Sequence, residues 1–126
     1  MAESYDGVRE SCSRYLDQFN FQVVQAAHGE QVLAHVAAEP PHVILTELNL
    51  PAMPALRLTQ WLAQNWRTRK VPVIVLAEEG ESVEALEFRN HVAGVLVKPF
   101  SLVTMLDEVR RVLRAGVPGE SRQARL

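Results

Sequence analysis

The residues best placed to do chemistry are few, and they sit at the ends of short apolar runs. His42–Glu47 is largely apolar and closes on a carboxylate, Glu47, which leads into Leu48-Asn49-Leu50-Pro51-Ala52-Met53. About fifty residues later Gly94–Val97 leads into Lys98-Pro99-Phe100. A carboxylate and an ammonium at the ends of two strands of one sheet can form an ion pair. Other candidates are weaker. His28, His35, His42 and His91 lack metal-ligand spacing. There is no glycine-rich phosphate loop. The single cysteine, Cys12, falls on the apolar face of a helical pattern, where it is expected to be buried and inert.

Two kinds of segment must position these groups. Apolar residues three and four apart predict helices around Val8–Leu16, Val32–Val36, Pro54–Trp66, Val83–Asn90 and Leu102–Leu113, the last with Ser101 as N-cap. Between them lie β-type runs at Phe21–Gln25, His42–Glu47, Val71–Leu76 and Gly94–Val97. The runs at 43–45, 73–76 and 95–97 are almost continuously apolar, as expected of parallel strands buried on both faces. The alternation predicts an α/β doubly wound parallel sheet with helices on both faces. One domain over 1–115 is expected, followed by a flexible tail over 116–126 that opens with Gly116-Val117-Pro118-Gly119.

The Leu-x-Leu-Pro-x-Met loop after Glu47, read with Val97-Lys98-Pro99-Phe100, resembles the response-regulator receiver domain over roughly residues 8–114. That resemblance implies a flavodoxin-like sheet of strand order 2-1-3-4-5. It also implies Mg²⁺-assisted phosphoryl transfer to an aspartate at the end of the His42–Glu47 strand, where this chain has Glu47. The family's acidic pair falls near Glu3 and Ser4, only one of which is acidic. Its phosphoryl-binding hydroxyl falls at Ala77 and its switching aromatic at Val95. Lys98 alone matches, with Pro99 behind it and a cis bond between them implied. No catalytic residue, metal site or cofactor is therefore expected, Mg²⁺ included. Glu47 reads either as a built-in mimic of the phosphorylated state or, more simply, as a partner that keeps Lys98 paired.

Most or all of the family's first strand is missing. Only Met1-Ala2 precede the acidic position, which would leave the runs at 21–25 and 42–47 without a common neighbour. Three remedies are open: direct pairing of those runs, a strand from another chain, or a start lying upstream. The first two are favoured.

The functional expectation is an atypical receiver that is not an enzyme. It serves as a phosphorylation-independent interaction or dimerisation module, with another protein or a second copy of itself as partner. The alternative is a phospho-accepting receiver that uses Glu47 or a pocket supplied by a partner. The resemblance places an interaction face at Val83, Leu86, Val95 and Val103. A net charge of −2 argues against direct nucleic-acid binding, and no apolar run is long enough to span a membrane. One cysteine and a polar start point to the cytoplasm.

Overall fold

The computed structural model describes residues 1–81, 92–116 and 126. Strands β1 (Ile44–Glu47), β2 (Val73–Ala77) and β3 (Val92–Val97) form a parallel sheet in that order. Ile44 stands opposite Val73 and Glu47 opposite Leu76, while Ala77 stands opposite Val97. This register brings the C-terminal ends of all three strands to one edge.

Side-chain alternation explains why the strands are apolar on both faces. Val43, Leu45, Ile74, Leu76 and Leu96 point to one face and Ile44, Val73 and Val75 to the other. The first face is covered by α1 (Asp6–Asp17), through Cys12 and Leu16, and by α4 (Leu102–Gly116), through Met105, Leu106, Val109 and Val112. The second is covered by α2 (Gly29–Ala38), through Val32 and Val36, and by α3 (Ala55–Ala63), through Leu58 and Leu62. Leu16, Leu58 and Leu62 have no exposed surface. Burying each contributes about 1.5–3 kcal/mol.

Local chemistry sets the ends of the elements. Ser101 caps α4 as expected, its hydroxyl accepting from the Thr104 N–H at 3.0 Å. Asn20, at φ 69°, ends the turn after α1 in the left-handed region that asparagine tolerates. Pro54 is the N-cap of α3. That helix stops at Ala63 rather than Trp66, and the Leu62 carbonyl accepts from both the Asn65 N–H at 3.3 Å and the Thr68 hydroxyl at 2.9 Å. Trp66 is consequently left 80% exposed.

Two sequence expectations need correction. Phe21–Gln25 is not a regular strand; the segment joins the sheet through an isolated bridge at Ala26. The central lane, expected to lack its strand, is occupied by Met1–Glu3. Ala2 bridges Ala26 on one side and Thr46 on the other, both in the parallel sense. The Ala2 N–H donates to the Leu45 carbonyl at 2.7 Å and the Glu3 N–H to the Ala26 carbonyl at 2.9 Å. Met1–Glu3 is thus the common neighbour, and the flanking segments do not pair directly. Burial pushes the Met1 amino group down to about 5, with Cys12 opposing, so at neutral pH it is a neutral donor. Of the tail expected over 116–126, residues 117–125 lie outside the described residues. Helix α4 runs through Gly116, and Leu126 is buried against Met1 and Phe21. The helix expected at Val83–Asn90 lies outside the described residues.

Candidate functional site

Glu47 ends β1 and Lys98 follows β3, so the parallel register carries both to the same edge of the sheet. Glu3 arrives there at the end of the central-lane segment. The loop beneath them is built tightly. Leu50 and Met53 are buried plugs, and the Met53 N–H returns to the Leu50 carbonyl at 3.1 Å. Ala52 turns the chain at φ 69°, an uncommon conformation for a residue with a Cβ. The N–H of Gly29, at the start of α2, donates to the Pro51 carbonyl at 2.7 Å. Lys98 is fixed by its own N–H, which donates to the Ala77 carbonyl at 2.7 Å, and the Lys98–Pro99 bond is cis as the resemblance implied.

The side-chain geometry departs from the simplest expectation. The main partner of Lys98 is Glu3, not Glu47. The Lys98 Nζ lies 2.9 Å from both carboxylate oxygens of Glu3, whose side chain is fully buried. Glu78 stands at 3.5 Å and Glu47 at 3.9 Å. The Tyr5 ring centroid is 5.2 Å from the same ammonium, within cation–π range. Glu47 has a different anchor: its Oε1 accepts from the Ser4 N–H at 2.8 Å. The Ser4 position therefore contributes a backbone donor to the site. Arg9 braces that segment by donating to the Glu3 carbonyl at 2.9 Å.

The electrostatics follow from this crowding. Burial raises the Glu3 carboxyl above its usual 4.5, the hydrogen bonds from Lys98 oppose that rise, and the charge on Glu47 adds to it. Burial alone would lower the Lys98 ammonium. The hydrogen bonds and charge of Glu3, with the charges of Glu47 and Glu78, outweigh burial and hold it above 10.5. Lys98 is thus a permanent cation among three carboxylates, two of them largely withdrawn from water.

The structure brings Glu3, Ser4, Glu47, Ala77, Lys98 and Pro99 to one edge of the sheet. Val95 lies inside β3, half-buried and packed against the α2/α3 side. Val103 is 59% exposed. Val83 and Leu86 lie outside the described residues. Two contacts escaped sequence reasoning, Tyr5 and Glu78. Glu78 was the more accessible of the two, because an acidic residue directly after a strand of the same sheet must emerge at that edge.

Cys12 packs at 2% exposure near this site, and burial first, then the charge of Glu3, pushes its thiol up to about 11. It should therefore resist thiol reagents at neutral pH and react promptly after unfolding. Ellman titration with and without urea checks this; rapid labelling of the folded chain would contradict it.

Among the described residues no helix is long and apolar enough to cross a membrane. The fold is shared with solved receivers. The signal receiver domain of a signal transduction histidine kinase from Syntrophus aciditrophicus superposes with a TM-score of 0.81 at 21% identity, covering 95% of this chain and 92% of that one. The chemotaxis response regulator CheY4 of Vibrio cholerae superposes with a TM-score of 0.79 at 25% identity, covering 88% and 93%. Among sequences, a probable chemotaxis protein CheY of Rhizobium etli is 31% identical over 104 residues, 79% of each chain. Response regulator RR06 of Streptococcus pneumoniae is 25% identical over 115 residues, 90% of this chain and 52% of that protein. The chain spans about half the length of several curated relatives of this kind. Residues 2–110 match the family model described as the response regulator receiver domain, and with the parallel sheet and the strand-edge lysine in place the chain belongs to that family, the receivers of two-component signalling.

Proposed function

We propose that this receiver signals without being phosphorylated, as an interaction module of the bacterial cytoplasm and not as an enzyme. One observation carries the reading: the groups that would handle a phosphoryl group are already bound to each other. Both oxygens of Glu3 are taken by Lys98, and a Glu47 oxygen is taken by the Ser4 N–H. The position that matches the family's hydroxyl is Ala77, and the one that matches its aromatic is Val95. The extra methylene of Glu47 supports the same reading, because it displaces the carboxylate from where an aspartate would accept.

The donor set does not fit Mg²⁺. That ion requires a near-octahedral shell of oxygens, with one or two carboxylates free to join its waters. Here Ser4 presents an N–H, Glu3 is neutralised by an ammonium at 2.9 Å, and Glu47 is engaged elsewhere. No step is derived through a metal. The partner is another protein or a second copy of this chain, met without direct contact to nucleic acid. Exposed valines at β3 and α4, Val97 at 51% and Val103 at 59%, support an apolar contact there.

Incubation with a small-molecule phosphodonor and Mg²⁺, followed by intact-mass measurement, tests this reading. We expect no phosphoryl adduct on the native chain. We expect none on Glu47→Asp either, because Ala77, Ser4 and the Glu3–Lys98 pair are unchanged. An adduct on the native chain would establish the alternative, a receiver that accepts phosphate on Glu47.

A further inference from the structure

Charge is segregated along this chain and across its fold. Residues 48–77 carry the cations Arg57, Arg67, Arg69 and Lys70 and no carboxylate, and Glu78, Glu79 and Glu81 follow directly. Arg67, Arg69 and Lys70 precede β2, whereas Glu78 and Glu79 come just after it, so the two signs emerge at opposite ends of the parallel sheet. The basic end also carries Trp66, the most exposed large hydrophobic side chain among the described residues. The turn that holds it is tied down. The Thr68 and Arg69 N–H groups both donate to the Asn65 carbonyl, at 3.1 and 2.9 Å, and the Val71 N–H donates to the Thr68 carbonyl at 3.0 Å. Thr68 is buried as the anchor, while Trp66, Arg67, Arg69 and Lys70 stay outside. An indole with a collar of cations is thus presented on a fixed backbone, which lowers the ordering cost of inserting it elsewhere.

The acidic end carries the matching hollow. A groove of about 640 Å³ lies between α1 and the Lys98–Leu102 segment. Half-buried Val8, Phe100 and Leu102 wall it, and the exposed Glu78 and Glu79 form its rim. Lys98 also reaches this groove, but its ammonium is turned to both oxygens of Glu3. We propose that a second copy of this chain fills the groove: the Trp66 indole of one protomer enters it on the next, and Arg67, Arg69 and Lys70 meet the Glu78–Glu79 rim. This contact names the partner of the interaction module proposed above and rests on that reading. The occupant is a second copy because both halves of the contact are carried by one chain, apolar knob to apolar wall and cation to carboxylate. Knob and groove stand at opposite ends of the sheet, so the contact is head to tail. Each added protomer brings a fresh groove and a fresh indole, and association goes on past the dimer.

Sedimentation velocity of the full chain, from about 10 μM to about 1 mM and at low and about 0.5 M salt, tests this contact. The mean mass should rise past the dimer with concentration and fall with salt. Trp66→Ala should weaken association at least about thirtyfold, the loss expected where tryptophan is an interface hot spot. Arg69→Glu and Glu79→Arg should each weaken it at least about tenfold, because like charges then face each other. An equimolar mixture of those two variants should recover the native behaviour. In an alternating row every contact is again complementary, native on one side of each protomer and reversed on the other. All three side chains are exposed, so the variants should fold as the native chain does, which circular dichroism checks. A monomer over the whole range overturns the proposal. So does a mass that stops at the dimer, association that Trp66→Ala leaves unchanged, or a mixture that stays monomeric. None of these results bears on phosphate acceptance, which the intact-mass measurement reads separately.

Discussion

Lys98→Met should destabilise the fold by about 3–5 kcal/mol, the usual cost of removing one partner from a buried ion pair. The Glu3 side chain has no exposed surface, and both its oxygens rest on the Lys98 ammonium at 2.9 Å. Without that ammonium the carboxylate keeps the cost of burial and the repulsion of Glu47, and loses what offsets them. Two further results distinguish this from a simple loss of packing. In Lys98→Met/Glu3→Gln the stranded charge is gone, so the double variant should be more stable than Lys98→Met alone. The penalty should also depend on pH. Glu3 is a carboxyl whose folded pKa lies above its unfolded value, so its favourable contribution is complete below about 4.5 and lost as pH rises through the folded value. Lys98→Met raises that folded value further, so its penalty should be largest at neutral pH and shrink on acidification. Urea denaturation of the three variants at pH 7 and near pH 4.5 measures all of this. A penalty that does not change with pH would mean that the Glu3 charge is not its source.

Gly29→Ala should destabilise by about 1–3 kcal/mol, the range for forcing a methyl into a packed site. At the start of an ordinary helix the same change gains up to about 1 kcal/mol through propensity. Here the added Cβ would overlap the Cβ of Met53 and lie 2.8 Å from the Met53 nitrogen and 3.0 Å from the Ala52 carbonyl carbon. Two of those three atoms are backbone, in a loop already turned through Ala52 at positive φ, so they cannot step aside as a flexible side chain would. Gly7→Ala, whose new Cβ meets nothing within 4 Å, is the control and should be neutral or stabilising. Denaturant midpoints of both variants check the opposite signs. A stabilised Gly29→Ala would show that the loop yields, and with it the mooring of Glu47.

The fold was legible because its signals are local. The apolar runs at 43–45 and 73–76 could only be strands buried on two faces, and Val43, Leu45, Ile74 and Leu76 alternate with Ile44, Val73 and Val75 as that requires. Ser101 and Pro54 announced their helices by residue type. Positions in the site were legible for a related reason: a residue just after a parallel strand must emerge at the sheet's C-terminal edge, whatever the intervening chain does.

Partnerships were not legible, because they depend on distances that no spacing encodes. Phe21–Gln25 looks like a strand by composition, but the segment meets the central lane only through an isolated bridge between Ala26 and Ala2. Residue types alone established an apolar α/β chain with a carboxylate at 47, a lysine at 98 and no hydroxyl at 77, and so a receiver-like edge with altered chemistry. Only the tertiary structure decided that Glu3, nearer than Glu47, is the main partner of Lys98, and that Ser4 holds Glu47. Periodicity governs which face a residue occupies over a few positions, whereas an ion pair across 95 residues is settled by which buried groups can satisfy one another once the sheet has formed.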